Sequence, residues 1–293
     1  MDTGQSIVNL LLNGVAQGCV YGLVALGFVL IYKATEVVNL AQGELMMLGA
    51  FAGYTLIGLW GLPYWLGLGL SAAVMMAFGY GLERVVFRPM VGQPPFAIMI
   101  LSIGVGLLLR AVAGMIWGHQ PVNFQTPFDG DRMLIFGTQI WAQQVVVIAT
   151  TLLLCILVSA FFRHTRLGMV IRAASQNRLA ACYVGIPIHR VSAIAWGLGA
   201  ALAGVAGVLL APLTLIDPHM GLVGLKAFAA AVLGGFGSLP GAVAGGLLVG
   251  LVEQFAAFYL PSGFDTATAY VLLLGMLLIH PQGLFRQLQP NRG

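Results

Sequence analysis

The sequence predicts an all-α polytopic membrane protein with eight or nine transmembrane or re-entrant helices, a discontinuous helix late in the chain, the N-terminus outside and the C-terminus cytoplasmic. Three observations predict it. Of 293 residues, 59% are hydrophobic and only 8% charged, against about 25% charged in soluble domains. Uncharged runs as long as the roughly 20 residues needed to span a bilayer recur with no gap the size of a soluble domain, so residues 1–293 read as one membrane domain. The basic residues gather in one long polar interruption, 163–190, which holds Arg163, Arg166, Arg172, Arg178 and Arg190 and no acid. The positive-inside bias places it in the cytoplasm and so orients every span.

Residues 7–32 are uncharged and longer than the ~30 Å hydrocarbon core, so this first span tilts or runs past the interface. The residues before it lack the basic segment of a cleavable signal, and the apolar stretch is too long for one. Gly14, Gly18 and Gly22 recur at every fourth position, a flat stripe on which another backbone can lie close. The pattern then breaks: Asn39, Gln42, Gly43 and Glu44 sit directly against an apolar run over 45–59. Such residues either cap the run or enter the membrane and line a polar cavity. Capping is the simpler role for Asn39. Glu44, beside Met46 and Met47, needs a partner or water.

A third span over 64–82 closes on Glu83, Arg84, Arg88 and Pro89, whose two arginines read as cytoplasmic. A fourth covers 96–116, where Arg110 is near enough to the outer end to snorkel to the headgroups. Residues 117–139 form an external loop holding Asp129 and Asp131 against Arg132, flanked by Trp117 and Trp141 as an aromatic belt. Residues 141–162 return to the basic interruption. Residues 191–213 go out again with a small-residue face of Gly197, Gly199, Ala203, Gly204 and Gly207.

From Lys226 only ten or so apolar residues precede GGFGSLPG at 234–241. So short a segment predicts a discontinuous or re-entrant helix, and non-helical backbone at that depth is tolerated only within protein or along a cavity. Gly235, Gly237 and Ser238 are therefore candidates to line a path. Glu253 lies inside the following apolar stretch, 242–260; it either faces a cavity or pairs with a neighbouring helix. Residues 266–279 make the last span, and Arg286 and Arg292 put the C-terminus inside. A polar break after the first helix and a Gly/Pro break late in the chain are the pattern of transporters built from two related halves.

Within the basic interruption, Asn177 suits the N-cap of a short helix whose Leu179, Cys182 and Tyr183 form an apolar stripe at i, i+3, i+4. Gly185 suits the left-handed C′ position, Ile186 packs back, and Pro187 prevents continuation. Such a helix either docks on a cytosolic protein or lies on anionic lipid.

Several chemistries lack their signatures. No phosphate-cradling GxxxxGK[ST], zinc-binding HExxH or nucleophilic GxSxG pattern is present. The formal charge of +4 sits between spans without the aromatic interleaving of a nucleic-acid groove. Cys19, Cys155 and Cys182 have no CxxC spacing, and the five histidines are scattered. Work against a gradient then needs energy from intramembrane charges or from a separate ATPase pressing on the basic interruption. The scarcity of buried ionisable groups favours the ATPase.

Taken together, VNLAQGELMMLG at 38–49, ERVVFRP at 83–89, GMVIRAASQN at 168–177, Gly185 with Ile186, KAFAAAVLGGFGSLPGA at 226–242 and PQGL at 281–284 resemble, from end to end, the LivH-type permease of branched-chain amino acid ABC importers. The resemblance implies a multi-pass bacterial inner-membrane permease, not itself an enzyme, for branched-chain or other hydrophobic amino acids. It implies a second, LivM-like permease, two cytosolic ATPase subunits that hold the ATP and magnesium, and a periplasmic or extracellular substrate-binding protein. No cofactor or metal is expected on this chain. Arg172, Ala173, Asn177, Leu179, Tyr183, Gly185 and Ile186 would make the ATPase-coupling segment. Asn39, Gln42, Gly43, Glu44, Gly235, Gly237, Ser238 and Glu253 would line the translocation path. Ser175 and Gln176 stand where the family often has an acid. Related permeases for urea or short amides, and a passive glycine-lined channel, are the alternative readings.

Overall fold

A computed structural model describes residues 3–135, 138–176, 178–261, 263–280 and 283–285. In chain order the helices are α1 Thr3–Thr35, α2 Gln42–Gly53, α3 Tyr64–Leu82, α4 Pro95–Trp117, α5 Ala142–His164, α6 Arg166–Gln176, α7 Arg178–Tyr183, α8 Ile188–Leu210, α9 Val223–Gly234, α10 Leu239–Tyr259 and α11 Phe264–Ile279. A π turn, Tyr54–Leu59, extends α2, and another, Glu83–Phe87, extends α3. Six helical stretches among the described residues are long and apolar enough to cross a bilayer; they contain α1, α3, α4, α5, α8 and α10. Met220–Gly234 and Thr266–Ile279 are shorter apolar helices.

Depth of burial sorts these elements. The most apolar windows of α1 and α8 are 89% and 83% buried, whereas that of α5 is 22%; α1 and α8 are the central pair and the others surround them. Small residues permit the central packing, because lipid and side chains are equally apolar and close backbone approach is what holds membrane helices together. The glycine stripe of α1 lies on α10: a Cβ on Gly18 would fall 2.8 Å from the Leu247 Cα, and one on Gly22 3.3 Å from the Val243 Cα. Gly246 and Gly250 return the contact from α10. On the far side of α8, Gly197 meets Met76 and Gly204 meets Met75 of α3.

Two half-length helices meet inside the bundle. The first residue of α2, Gln42, is bonded to Gly199, midway along α8. From there α2 rises with α8, Gly49 against Gly204 and Gly53 against Val208. The start of α9 touches the start of α2, Gly224 against Gly43. It runs the opposite way, Phe228 packing on Phe28 and Phe236, just beyond its end, on Tyr32 near the end of α1. Each half-helix follows a long central helix and a turn back into the molecule, residues 36–41 after α1 and 211–222 after α8. The two units point in opposite senses, an inverted repeat.

This arrangement corrects the expected position of the discontinuity. The Gly/Pro cluster at 234–241 is not where the half-helices meet. It is a turn at the arginine-rich end, where Gly235 packs on Gly283 and the Leu284 N–H donates to the Leu233 carbonyl at 2.9 Å. Of the two turns, 36–41 brings non-helical backbone into the bundle at Leu40 and Ala41, while 211–222 runs over the end opposite the arginines, with Leu213 and Leu215 exposed, and enters through the 3-10 turn Met220–Leu222. The expected two halves are related through those two turns, not through the Gly/Pro break.

Two further differences concern the loops. Beyond α4 the chain forms an antiparallel hairpin, Arg132–Ile135 with Thr138–Trp141, in which Arg132 faces Trp141 across the strands and stacks on its ring at 4.5 Å. Asp129 accepts from the Thr126 N–H at 2.8 Å. In the basic interruption, α6 precedes the expected short helix. Thr165 caps it by accepting from the Gly168 N–H at 3.0 Å, and Gly168, Ile171 and Ala174 bury one face. Asn177, the expected cap of α7, lies outside the described residues, as does the Leu179 side chain. The C-terminal arginines Arg286 and Arg292 also lie outside them.

Candidate functional site

The polar turn 36–41 is stable inside an apolar bundle because its hydrogen-bonding groups find partners, as backbone without water requires. Asn39 Oδ1 accepts from the Ala41 N–H at 3.1 Å, and Asn39 Nδ2 donates to Gln42 Oε1 at 3.2 Å. Gln42 Nε2 donates to the Gly199 carbonyl at 2.9 Å. The Leu40 N–H donates to Ser102 Oγ of α4 at 3.0 Å. Asn39 and Gln42 are buried and fully engaged, so they fix the turn.

Glu44 is the third residue of α2, where a carboxylate complements the partial positive charge of the helix start. Arg110 Nη2 of α4 lies 2.9 Å from Glu44 Oε1. Arg110 thus turns inward to an acid, where snorkelling was expected, and its Nε has no protein partner. Glycine at 106 and 221 leaves room for the carboxylate: a Cβ there would sit 3.2 and 3.1 Å from its oxygens. Gly43, one residue earlier, has no space for a side chain against Gly221 and Gly224.

The start of α9 carries a charge of the opposite sign. Lys226, its fourth residue, is disfavoured beside a helix start and is held by Glu253 of α10, Nζ to Oε1 at 2.5 Å. Tyr21 Oη donates to Glu253 Oε2 at 2.9 Å, and Gln17 Nε2 donates to Tyr21 Oη at 2.7 Å. Gln254 Nε2 completes the chain on Gln17 Oε1. Glu253 is therefore paired, one of its two expected states. Both half-helix starts meet at the Gly43–Gly224 contact, and each bears an ion pair to a neighbouring full-length helix.

The sequence candidates thus fall in three places. Asn39, Gln42, Gly43 and Glu44 are together at the start of α2. Glu253 belongs to the Lys226 network. Gly235, Gly237 and Ser238 are apart from both, at the arginine-rich end, where Ser238 Oγ accepts from the Gly241 N–H at 3.1 Å and caps α10. Arg110, Lys226 and Tyr21 are members that sequence reasoning missed as partners. The signal was present for the first two: an ionisable residue in an apolar stretch calls for an opposite charge, and the chain offers few.

The arginine-rich end carries the other candidates. Arg172 and Ala173 are exposed on α6. The end of α7 has the anticipated stop: Gly185 at φ +82°, its N–H donating to the Cys182 carbonyl at 3.0 Å, and the Ile186 N–H donating to the Ala181 carbonyl at 3.0 Å. This is the Schellman pattern, with Ile186 half-buried against the core. It leaves Tyr183 89% and Val184 76% exposed at the tip of a rigid elbow.

Comparison with known proteins adds relatives to this geometry. The sequence profile of a family described as "Branched-chain amino acid transport system / permease component" matches residues 10–281. The chain is 34% identical to the high-affinity branched-chain amino acid transport system permease protein LivH of Escherichia coli, over 93% of each chain. It is likewise 34% identical to BraD, a permease protein of the same description from Pseudomonas aeruginosa, over 94% of each. At 27% identity it also matches the ribose import permease protein RbsC of E. coli, over 84% of this chain and 77% of that one.

Proposed function

The chain belongs to the permease-component family of branched-chain amino acid transport systems, and on that premise we propose that it forms half of a translocation path whose starting point is the meeting of α2 and α9. It is a multi-pass protein of the cytoplasmic membrane that works as the permease of an ATP-driven importer. Its substrate is a branched-chain or other hydrophobic amino acid. A ribose import permease protein among its relatives supports a reading in which a separate binding protein holds selectivity. The remaining partners are a second, LivM-like permease and two cytosolic ATPases that hold ATP and magnesium.

The observation that carries the coupling reading is the exposed elbow in a sequence with no nucleotide motif. An apolar tip on a rigid capped helix among arginines fits a groove on another protein better than a bilayer surface, where the tip would have to lie flat. The basic residues support an orientation with the elbow and the C-terminus in the cytoplasm and the N-terminus outside. Nine elements then make up the path domain: the six long spans, α2 with its π turn, α9 and α11.

A stroke on the elbow, residues 163–190, passes directly into α5 and α8, which it joins. α8 carries the Gly199 carbonyl that holds Gln42 and the Gly204 and Gly207 surface on which α2 rests. Moving α8 therefore moves the start of α2 and with it Gly43, Glu44 and the Glu44–Arg110 pair. Alternating exposure follows if ATP in the partners favours one of two positions of this unit. Asn39 and Glu253 brace the central site, while Gly235, Gly237 and Ser238 form the turn at its cytoplasmic mouth.

The test uses the assembled importer in proteoliposomes. Tyr183→Ala and Gly185→Ala should insert and assemble yet lose most substrate-stimulated ATP hydrolysis, with basal hydrolysis retained. Unchanged stimulation in both variants would refute coupling through the elbow.

A further inference from the structure

At the arginine-rich end a cavity of about 760 Å³ opens between α1, α5, α6 and α10. Lys33 of α1, Arg163 of α5 and Arg172 of α6 line it, and no carboxylate does. None of the three cations forms a salt bridge among the described residues. Such a site suits an anion. It does not suit a zwitterionic amino acid, whose ammonium group would meet three positive charges and no acceptor acid.

The other walls are hydrocarbon. Leu26, Val158 and Val243 continue the cavity from the cations toward the middle of the molecule. Leu26 and Lys33 are seven residues apart on one helix, so the apolar wall extends about 10 Å from the lysine. A free phosphate would use the cations and leave this surface empty. A negatively charged headgroup with an acyl chain uses both, and basic pockets between membrane helices near the bilayer surface take such lipids.

We propose that this cavity binds an anionic phospholipid, its phosphate held by Lys33, Arg163 and Arg172 and one acyl chain laid against α1, α5 and α10. Because Arg172 is on α6 and Lys33 on α1, the lipid ties the elbow to the central helix. The proposal needs only the membrane location and stands whether or not the elbow docks on an ATPase.

Native mass spectrometry of the purified full chain, exchanged into mixed phosphatidylglycerol and phosphatidylcholine, tests it. The wild type should retain phosphatidylglycerol in preference to phosphatidylcholine, and Arg172→Gln, an exposed and structurally mild change, should cut that preference about five-fold. Lys33→Gln should do the same. Val158→Phe, which fills the apolar wall from α5 and keeps every cation, should reduce retention in a chain of unchanged melting temperature. Glycerol 3-phosphate at millimolar concentration should not displace the lipid. Equal retention of the two lipids by the wild type would overturn the proposal, as would unaltered preference in both Arg172→Gln and Lys33→Gln. Displacement by glycerol 3-phosphate would assign the cavity to a free phosphate anion and equally overturn it.

Discussion

Glu44 and Arg110 show how one pair can fix the start of a short helix inside an apolar bundle. With side chains 13% and 24% exposed, the pair is neither a solvated surface contact, worth about 0–1 kcal/mol, nor a fully dry one, whose rupture costs about 3–5 kcal/mol. Glu44→Gln should therefore destabilise the protein by roughly 2 kcal/mol, mainly through the arginine left without its acid. Glu44→Gln combined with Arg110→Gln should recover part of the loss, because no uncompensated charge remains. Thermal unfolding in detergent of the two singles and the double reads this cycle. Additive losses would mean that the two residues act independently. Glu44 was legible in the sequence as a residue in need of a partner; its partner was not. The two are 66 positions apart, and nothing local to Arg110 distinguishes an arginine that snorkels from one that turns inward.

Among the elements, packing of glycine against glycine decides the architecture. The α1–α10 contact tolerates no side chain at Gly18, where a Cβ would lie 2.8 Å from the Leu247 Cα and 2.9 Å from the Gly246 carbonyl oxygen. Gly18→Val should cost about 1–3 kcal/mol by overpacking, seen as a lower melting temperature. Gly69→Val, at a position with nothing within 4 Å, should be nearly silent; equal effects would contradict the close-packed interface. The four-residue glycine spacing made this surface readable in advance, since helical periodicity translates spacing directly into a face. The stop of α7 was readable for a similar reason: Gly185 and Pro187 act through local backbone chemistry. α6 was overlooked, although Thr165 and the apolar positions Leu167, Val170, Ile171 and Ala174 carry the cap and stripe of a short amphipathic helix. The depth of α2 and α9 was legible only in part: the short segment after Lys226 predicted a re-entrant helix, but not where it meets α2. A twelve-residue helix with one charge near its start has too little periodicity to show which end is deep, and contacts between distant parts of the chain, Gln42 with Gly199 and Gly43 with Gly224, set it.

For the whole molecule, the central pair α1 and α8 links two functions that the sequence separates. Each turns back at its far end into a half-helix, and the half-helices meet where the ion pairs stand. α8 also begins at the elbow, and in the proposed coupling a push there would pass along this one buried helix to the middle of the bundle. The elbow and the hairpin stand at opposite ends of α5, so the proposed motor contact and the proposed approach of a solute-delivering protein are at opposite ends of the bundle. The proposed coupling depends on the arginine-rich elbow facing the cytoplasm. Cys182, exposed on α7, is a natural reporter for it once Cys19 and Cys155 are replaced by alanine. The measurement is labelling of Cys182 by a membrane-impermeant maleimide in sealed right-side-out and inverted vesicles. The account predicts labelling only in inverted vesicles; labelling in right-side-out vesicles would contradict it.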